Sequence, residues 1–304
     1  MNLQQPLRAT LRIFTRLLER RLVELLYPAG TQPADFLSPV GEPSLLAVDS
    51  VSWRVFGNPV ALTVGGITAV LMELAEPRVR TGVWQHSTFR TSPLARLQRT
   101  GYATMMTAFG ARSRAQAMID RINAGHARIA GHTPGGLAYN ATDIDLLTWV
   151  HATAIFGFLE AYATCVRTLD DADRDRHWAD NRASARLYGV PSPPGSTRDF
   201  AALLETMLPR LEPSEIVLEF LAIMRRVPLL PAALRPLQFL LIRVAVQNVP
   251  APVRDRLGLT GDAWRVAPWQ WRLLRAIGRA TEHLSSVNLP AVLARRRLAA
   301  AHPD

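Results

Sequence analysis

Two histidines fall on the apolar faces of two consecutive predicted helices. His126 shares a stripe with Ile122 and Ile129, at spacings of four and three residues. His151 lies on the inward stripe of the next helix, which is apolar on nearly every side. A buried imidazole needs a partner, because an unsatisfied polar group costs on the order of 1–3 kcal/mol. That partner is a carbonyl, a carboxylate or a metal, and a hydrogen-bonded core histidine is the simpler interpretation of either residue alone.

The two histidines together favour haem over zinc. Neither makes the HExxH or HxxxH spacing that holds zinc on a single helix. The single cysteine, Cys165, excludes an internal disulfide and a four-cysteine metal cage, and its inward position favours packing. Histidines that approach from separate helices in an apolar setting suit haem better than a closed zinc site.

A second candidate group is Arg96, Arg99 and Thr100, which share one helical face. The apolar face of the same helix, which includes Leu97 and Met105, lies roughly opposite. Periodicity alone therefore turns the two arginines towards solvent. If they face a pocket instead, they supply fixed cationic donors to a carboxylate, a haem propionate or an oxygen species.

The composition excludes several enzyme classes. The chain of 304 residues has no lysine, so all 35 basic residues are arginine. A phosphate-binding loop, a pyridoxal Schiff base and a lysine nucleophile are therefore absent. The GxSxG and GxGxxG motifs are also missing.

The net charge of +10 raises the question of nucleic-acid binding. The arginines are spread along the whole chain, and only short runs such as residues 295–297 are dense. No zinc finger, RNA-binding aromatic pattern or helix-turn-helix signal accompanies them. We expect no specific nucleic-acid partner.

The first predicted helix, over residues 3–27, is amphipathic and basic. Its apolar residues are interrupted by arginines, unlike the core of a signal peptide. We interpret it as a docking helix on the protein surface, with peripheral membrane contact as the second interpretation. The longest uncharged stretch, Pro59 to Met72, is too short to span a bilayer. We therefore expect a cytoplasmic protein, with or without peripheral membrane contact.

Helical periodicity runs through almost every other segment. With 48% hydrophobic residues there is ample material for a core, and we expect one all-α domain over residues 1–304. A short extended piece is predicted over 52–56, a loop over 77–92, and no confident strand anywhere. The predicted helices after the first cover approximately 65–76, 93–109, 113–130, 142–168, 170–189, 198–209, 213–226, 231–248, 250–257 and 268–285.

Several blocks along the chain resemble those of a known family in order and spacing. The blocks are Gly82–Phe89 with Ser92–Thr100, His126–Gly131, Tyr139–Asp143, Trp149–Thr153 (WVHAT) and Leu187–Pro191. The family contains the mycophenolic-acid-pathway oxygenase and the catalytic domain of latex-clearing protein, a rubber oxygenase. The resemblance covers approximately residues 50–285.

This resemblance implies a globin-like helical bundle that holds haem b, with a histidine as the proximal iron ligand. Rubber oxygenases use it to cleave isoprenoid double bonds with dioxygen. By order along the chain, the iron ligand falls on His126, with His151 as the second candidate. The family's arginine–lysine–threonine pocket motif falls on Arg96, Arg99 and Thr100, with Arg99 in place of the lysine. The match places Arg96 at the haem, against the solvent-facing interpretation.

The chain departs from the family pattern in places. Many members have Ala-His-Pro where this chain has Ala75-Glu76-Pro77, and a glutamate where Asp180 stands. The glutamate proposed as catalytic base in rubber cleavage has no evident counterpart. We therefore predict a haem-dependent oxygenase acting with dioxygen on a small apolar substrate, isoprenoid or lipid-like. The alternative is a non-catalytic helical protein that binds haem or a hydrophobic ligand.

Overall fold

The computed structural model describes residues 23–282 and 289–300. In that part of the chain the regular structure is helical apart from one two-stranded hairpin, which confirms the all-α prediction. Most of the predicted helix 3–27 lies outside the described residues; its end, 23–26, is helical. The helices are α1 (Val51–Phe56), α2 (Pro59–Glu73), α3 (Pro77–His86), α4 (Pro93–Phe109), α5 (Arg112–His126), α6 (Ile144–Cys165), α7 (Asp171–Asp180), α8 (Arg182–Leu187), α9 (Thr197–Met207), α10 (Glu215–Arg226), α11 (Arg235–Asn248), α12 (Ala251–Arg256), α13 (Pro268–Glu282) and α14 (Pro290–Ala299); the strands are β1 (Ala130–His132) and β2 (Ala138–Asn140).

Helices α2 and α6 form the centre of the protein and cross where both carry glycine. A Cβ on Gly65 would lie 2.7 Å from the Cα of Phe158, and one on Gly157 would lie 2.5 Å from the Gly65 carbonyl oxygen. Further along, the Trp149 indole donates to the Met72 carbonyl at 3.2 Å. The order of these contacts shows that the two helices run antiparallel. Glycine is needed here because any side chain would hold the two backbones apart.

Helices α11 and α13 cover the remaining sides of this pair. The Thr68 hydroxyl on α2 donates to the Ala245 carbonyl on α11 at 3.0 Å. The Asn58 side chain caps the start of α2 and donates to the Gly278 carbonyl on α13 at 2.9 Å. Among the described helices, α6 is long and apolar enough to cross a bilayer by length and composition, and buried core helices meet the same test. Here the contacts of α6 with α2 are those of a core helix.

Helix α3 lies inside the segment predicted as a loop, so that prediction is wrong. Pro77 occupies the first turn of α3, a position where its missing N–H costs nothing. The buried Glu76 carboxylate accepts hydrogen bonds from the backbone N–H groups of Arg78 (2.7 Å) and Val79 (2.9 Å). It also pairs with the Arg78 side chain at 2.7 Å. Glu76, one of the departures from the family pattern, therefore caps this helix.

Three other local predictions are also corrected. Residues 52–56 are helical rather than extended, because the Ser50 hydroxyl accepts from the Trp53 N–H at 3.0 Å and starts α1. No strand is predicted, yet β1 and β2 form a hairpin, because strands this short show no periodicity. The buried Tyr139 ring of β2 packs over Gly131 of β1. The helix predicted over 170–189 is broken at Asn181 into α7 and α8.

The final described helix, α14, is held by a buried arginine. Arg297 is only 1% exposed. Its guanidinium donates to the carbonyls of Phe36 (2.8 Å), Phe109 (3.0 Å) and Glu42 (2.9 Å), and to the Ser44 hydroxyl (2.7 Å). One member of the dense arginine run at 295–297 is therefore a core residue that joins distant parts of the chain.

Candidate functional site

Helix α5 ends at His126, four residues before the predicted end at Ala130. The side chain of Asn123, one turn before, donates to the Leu187 carbonyl at 2.8 Å and fixes this end of the helix. The His126 ring is partly buried, and its Nδ1 is enclosed without a hydrogen-bond partner. Burial, and then the positive charge of Arg96, lower the pKa of His126. The imidazole is therefore neutral at physiological pH and keeps a lone pair for a ligand.

His151 lies in the middle of α6, as predicted. Its ring is partly buried and its Nδ1 is enclosed without a hydrogen-bond partner. Burial lowers the pKa of His151 to about 4, so this imidazole is also neutral. Neither histidine is the hydrogen-bonded core residue that the simpler interpretation predicts.

The three residues of the predicted pocket motif do not share one environment. Arg96 is partly buried, while Arg99 and Thr100 are exposed. The Arg96 guanidinium donates to the Thr100 hydroxyl, which donates to the Arg96 carbonyl at 3.0 Å. Arg99 donates to the Thr88 hydroxyl at 2.7 Å, on the loop between α3 and α4. Arg96 and Thr100 thus form a unit, and Arg99 is tied to a neighbouring loop.

Glu73 is a site residue that the sequence analysis missed. It ends α2, and its carboxylate makes no hydrogen bond with any described residue. Burial raises its pKa to about 7, against the opposing effect of the positive charge on Arg96. The available signal was its isolation, since Glu73 is the one charged residue between Pro59 and Ala75. A lone carboxylate in an apolar helix is expensive to bury and is therefore a candidate for function.

The tertiary structure brings these residues into two neighbourhoods. Arg96 on α4 is close enough to act on both Glu73 and His126: its charge opposes the rise in the pKa of Glu73 and adds to the lowering of the pKa of His126. His151 on α6 is close enough to His177 on α7 to lower the pKa of that residue. The first neighbourhood is therefore assembled from α4 and the ends of α2 and α5, and the second from α6 and α7.

Behind His151, His177 belongs to a buried polar network. His177 is fully buried, and burial lowers its pKa to about 3. Its Nδ1 lies 2.9 Å from the Ser52 hydroxyl, which also accepts from the Asn181 amide at 3.0 Å. The His177 Nε2 is enclosed without a partner. His177 is therefore a neutral ring anchored beside Ser52 and Asn181.

Apart from the two candidate histidines, few described side chains are placed to ligate a metal ion. Among residues 23–282 and 289–300, no group of three or more His, Cys, Asp or Glu is arranged to hold a metal ion. Cys165 is fully buried, and burial raises the pKa of its thiol to about 11, so it packs as a thiol. This agrees with the predicted packing role of Cys165.

A surface groove of about 750 Å³ lies between the start of α4 and the end of α10. Its lining includes Arg90, Leu94, Gln98, Ile223 and Arg226, and none of the histidines or other site residues named above. The groove is therefore separate from the candidate site.

A comparison with protein families confirms the resemblance. The family described as ER-bound oxygenase mpaB/B′/rubber oxygenase, catalytic domain, matches residues 53–282, which include every candidate site residue. Comparisons with curated proteins and with solved structures find no match. The matched region is most of the 304-residue chain. The chain therefore belongs to the family of mpaB and rubber oxygenase catalytic domains.

Proposed function

We propose that this protein binds haem b and uses it with dioxygen to oxidise an apolar substrate. The observation that carries the proposal is the pair His126 and His151, whose partly buried rings have no hydrogen-bond partner among the described residues. Each unsatisfied ring costs on the order of 1–3 kcal/mol, which a bound group offsets. A porphyrin supplies four ligands to its iron, so one or two imidazoles complete the site.

The residues present fit this cofactor. Metal ions bind the neutral imidazole, and the pKa of His126 and of His151 is lowered, which keeps both rings in that form. The resemblance favours His126 as the iron ligand and His151 as the second candidate. The arginine–threonine unit of Arg96 and Thr100 offers a cation for a haem propionate or an anionic oxygen.

The bound haem would supply the activation of dioxygen, which side chains alone do not perform. The side chains provide positioning and proton transfer. Arg96 is held by Thr100 and is therefore a preorganised donor. Glu73 holds a proton near neutral pH at a carboxyl with no protein partner, so it suits the role of a general acid or base.

An apolar substrate agrees with the surroundings of the site. The residues of α2 and α6 next to Glu73 and His151 are mostly apolar and include the buried Met72, Ala152 and Ile155. Such surroundings favour hydrocarbon over charged substrates. The family resemblance extends this to a small isoprenoid or lipid-like molecule.

The absorption spectrum of the purified protein, oxidised and reduced, tests the cofactor. We expect a haem band in the protein as isolated or after addition of hemin. His126→Ala should abolish it, and the exposed His132→Ala is the matched control. Loss of the band in His151→Ala alone would move the iron ligand to His151. A protein that stays colourless with hemin contradicts the proposal.

A second experiment separates catalysis from binding. The reduced protein is mixed with dioxygen and an isoprenoid alkene, and the products are analysed by mass spectrometry. Oxygenated product supports the oxygenase. Haem binding without product supports the alternative prediction, a non-catalytic binder of haem or a hydrophobic ligand.

A further inference from the structure

Helix α13 is fixed to the end of α6 through one face. Gly278 is buried where α13 approaches α6. The Arg275 Nε donates to the Thr164 carbonyl at 3.0 Å, and the Arg279 Nε donates to the Val166 carbonyl at 3.2 Å. These arginines satisfy carbonyls that the end of α6 leaves without a helical partner. The orientation of α13 is therefore well determined.

The opposite face of α13 carries an exposed apolar stripe. Trp269 is 61% exposed and Leu273 is 43% exposed. Ala276 and Ala280, also exposed, continue the stripe at spacings of three and four residues. Exposure of large apolar side chains to water is unfavourable, so this stripe is suited to bind a partner that covers it.

Arginines lie beside the stripe. Arg272, Arg275 and Arg279 are exposed on the adjoining side of α13, and none pairs with a described carboxylate. Residues 263–281 contain four arginines and no acidic residue. The solvent-facing side of α13 is thus divided into an apolar half and a cationic half.

A second exposed aromatic residue with a nearby arginine lies on α11. Phe239 is 43% exposed, and Arg243 lies four residues later on the same helical face. The Arg243 guanidinium donates to the Arg265 carbonyl at 3.2 Å, which joins α11 to the segment before α13. We call the exposed side of α13 the α13 surface; it comprises Trp269, Arg272, Leu273, Arg275, Ala276, Arg279 and Ala280.

Exposed apolar residues elsewhere lack this setting. Leu218 on α10 is 55% exposed, but Glu215 lies three residues before it on the same helix face, and Glu219 follows it directly in the chain. The charged side chains next to Leu218 are negative and repel anionic partners, whereas those beside Trp269 are positive. Charge therefore singles out the α13 surface.

We propose that the α13 surface docks this protein on an anionic lipid bilayer, with α13 lying in the plane of the interface. Tryptophan and leucine enter the headgroup region of a membrane, and arginines beside them attract anionic lipids. Nucleic acid would use the arginines and leave Trp269 and Leu273 in water. The inference depends neither on haem nor on the predicted helix 3–27.

Co-sedimentation of the full chain with vesicles tests the proposal. The vesicles are phosphatidylcholine alone, or an equimolar mixture with phosphatidylglycerol. We expect binding to the anionic vesicles that weakens with salt. The double variant Trp269→Ala, Leu273→Ser should lower the partition constant about tenfold or more. Arg272→Gln, which removes one cation, should lower it about fivefold.

The control is Leu218→Ser, which removes an exposed leucine outside the α13 surface and should bind as the unmodified protein does. Circular dichroism of each variant verifies that the fold is retained. Unchanged binding of the double variant overturns the inference, even if the full chain binds vesicles through another segment. Absence of binding to the anionic vesicles also overturns it, and tight binding of a labelled DNA duplex would then assign the arginines to nucleic acid.

Discussion

Glu73 and Arg96 are neighbours of opposite charge inside this protein, yet no hydrogen bond joins their side chains. Arg96 instead donates to Thr100, and the Glu73 carboxylate has no hydrogen-bond partner among the described residues. The positive charge of Arg96 does not offset the burial of Glu73, whose pKa rises to about 7. Two partly buried groups of opposite charge that form no ion pair with each other cost stability, and such an arrangement is typical of a functional site.

Glu73→Gln should flatten the pH dependence of stability in the cofactor-free protein. The folded-state pKa of about 7 lies above the ordinary value of 4.5, so the folded protein binds the proton more tightly. The unmodified protein therefore loses stability as pH rises from about 4.5 to 7 and remains less stable above. Urea unfolding at pH 5 and pH 8 measures this. The exposed Glu205→Gln is the control, and an unchanged profile in Glu73→Gln would contradict the burial of the carboxylate.

Arg96 and Arg99 should differ in their effect on haem binding. Arg96→Gln removes a partly buried cation of the site and should weaken hemin binding about tenfold. Arg99→Gln removes a group bound to Thr88 and should change hemin binding by less than about twofold. Titration with hemin, followed by absorption, compares them. Equal losses in the two variants would place Arg99 in the site as well.

Two glycine substitutions, one at the crossing of α2 and α6 and one away from it, should have opposite effects on the stability of the protein. Gly157→Ala puts a Cβ 2.5 Å from the Gly65 carbonyl oxygen and should destabilise the protein by about 1–3 kcal/mol. Gly101→Ala on α4 meets nothing within 4 Å and should stabilise it by up to about 1 kcal/mol, through helix propensity. Thermal unfolding of both variants makes the comparison. Unchanged or raised stability of Gly157→Ala would contradict the close crossing.

Arg297→Met should destabilise the protein by roughly 2–4 kcal/mol, because the carbonyls of Phe36 and Glu42 and the Ser44 hydroxyl lose the arginine donor and the Phe109 carbonyl keeps only that of Ser44. The adjacent Arg296 is exposed, so Arg296→Met should have little effect. Denaturant unfolding of the two variants tests the difference. Similar stability of both would show that α14 contributes little to the fold.

Most of the helices around the site are predictable from local sequence. The apolar stripes of α4 and α6 repeat within each helix, so their positions follow from periodicity. Helix α3 is different, because Pro77 both follows one helix and starts the next, and the cap comes from the unusual Glu76. The hairpin holding Tyr139 is missed because three-residue strands have no measurable period.

The sequence by itself determined the chemistry available to this protein. It contains no lysine and one cysteine, and two histidines face inward from separate helices. Only the tertiary structure decided which charged side chains are buried and which groups lie next to them. Glu73 meets Arg96, and Arg297 meets the carbonyl of Phe109, across long separations in the chain. Burial and electrostatic interaction depend on such distant contacts, and local periodicity carries no information about them.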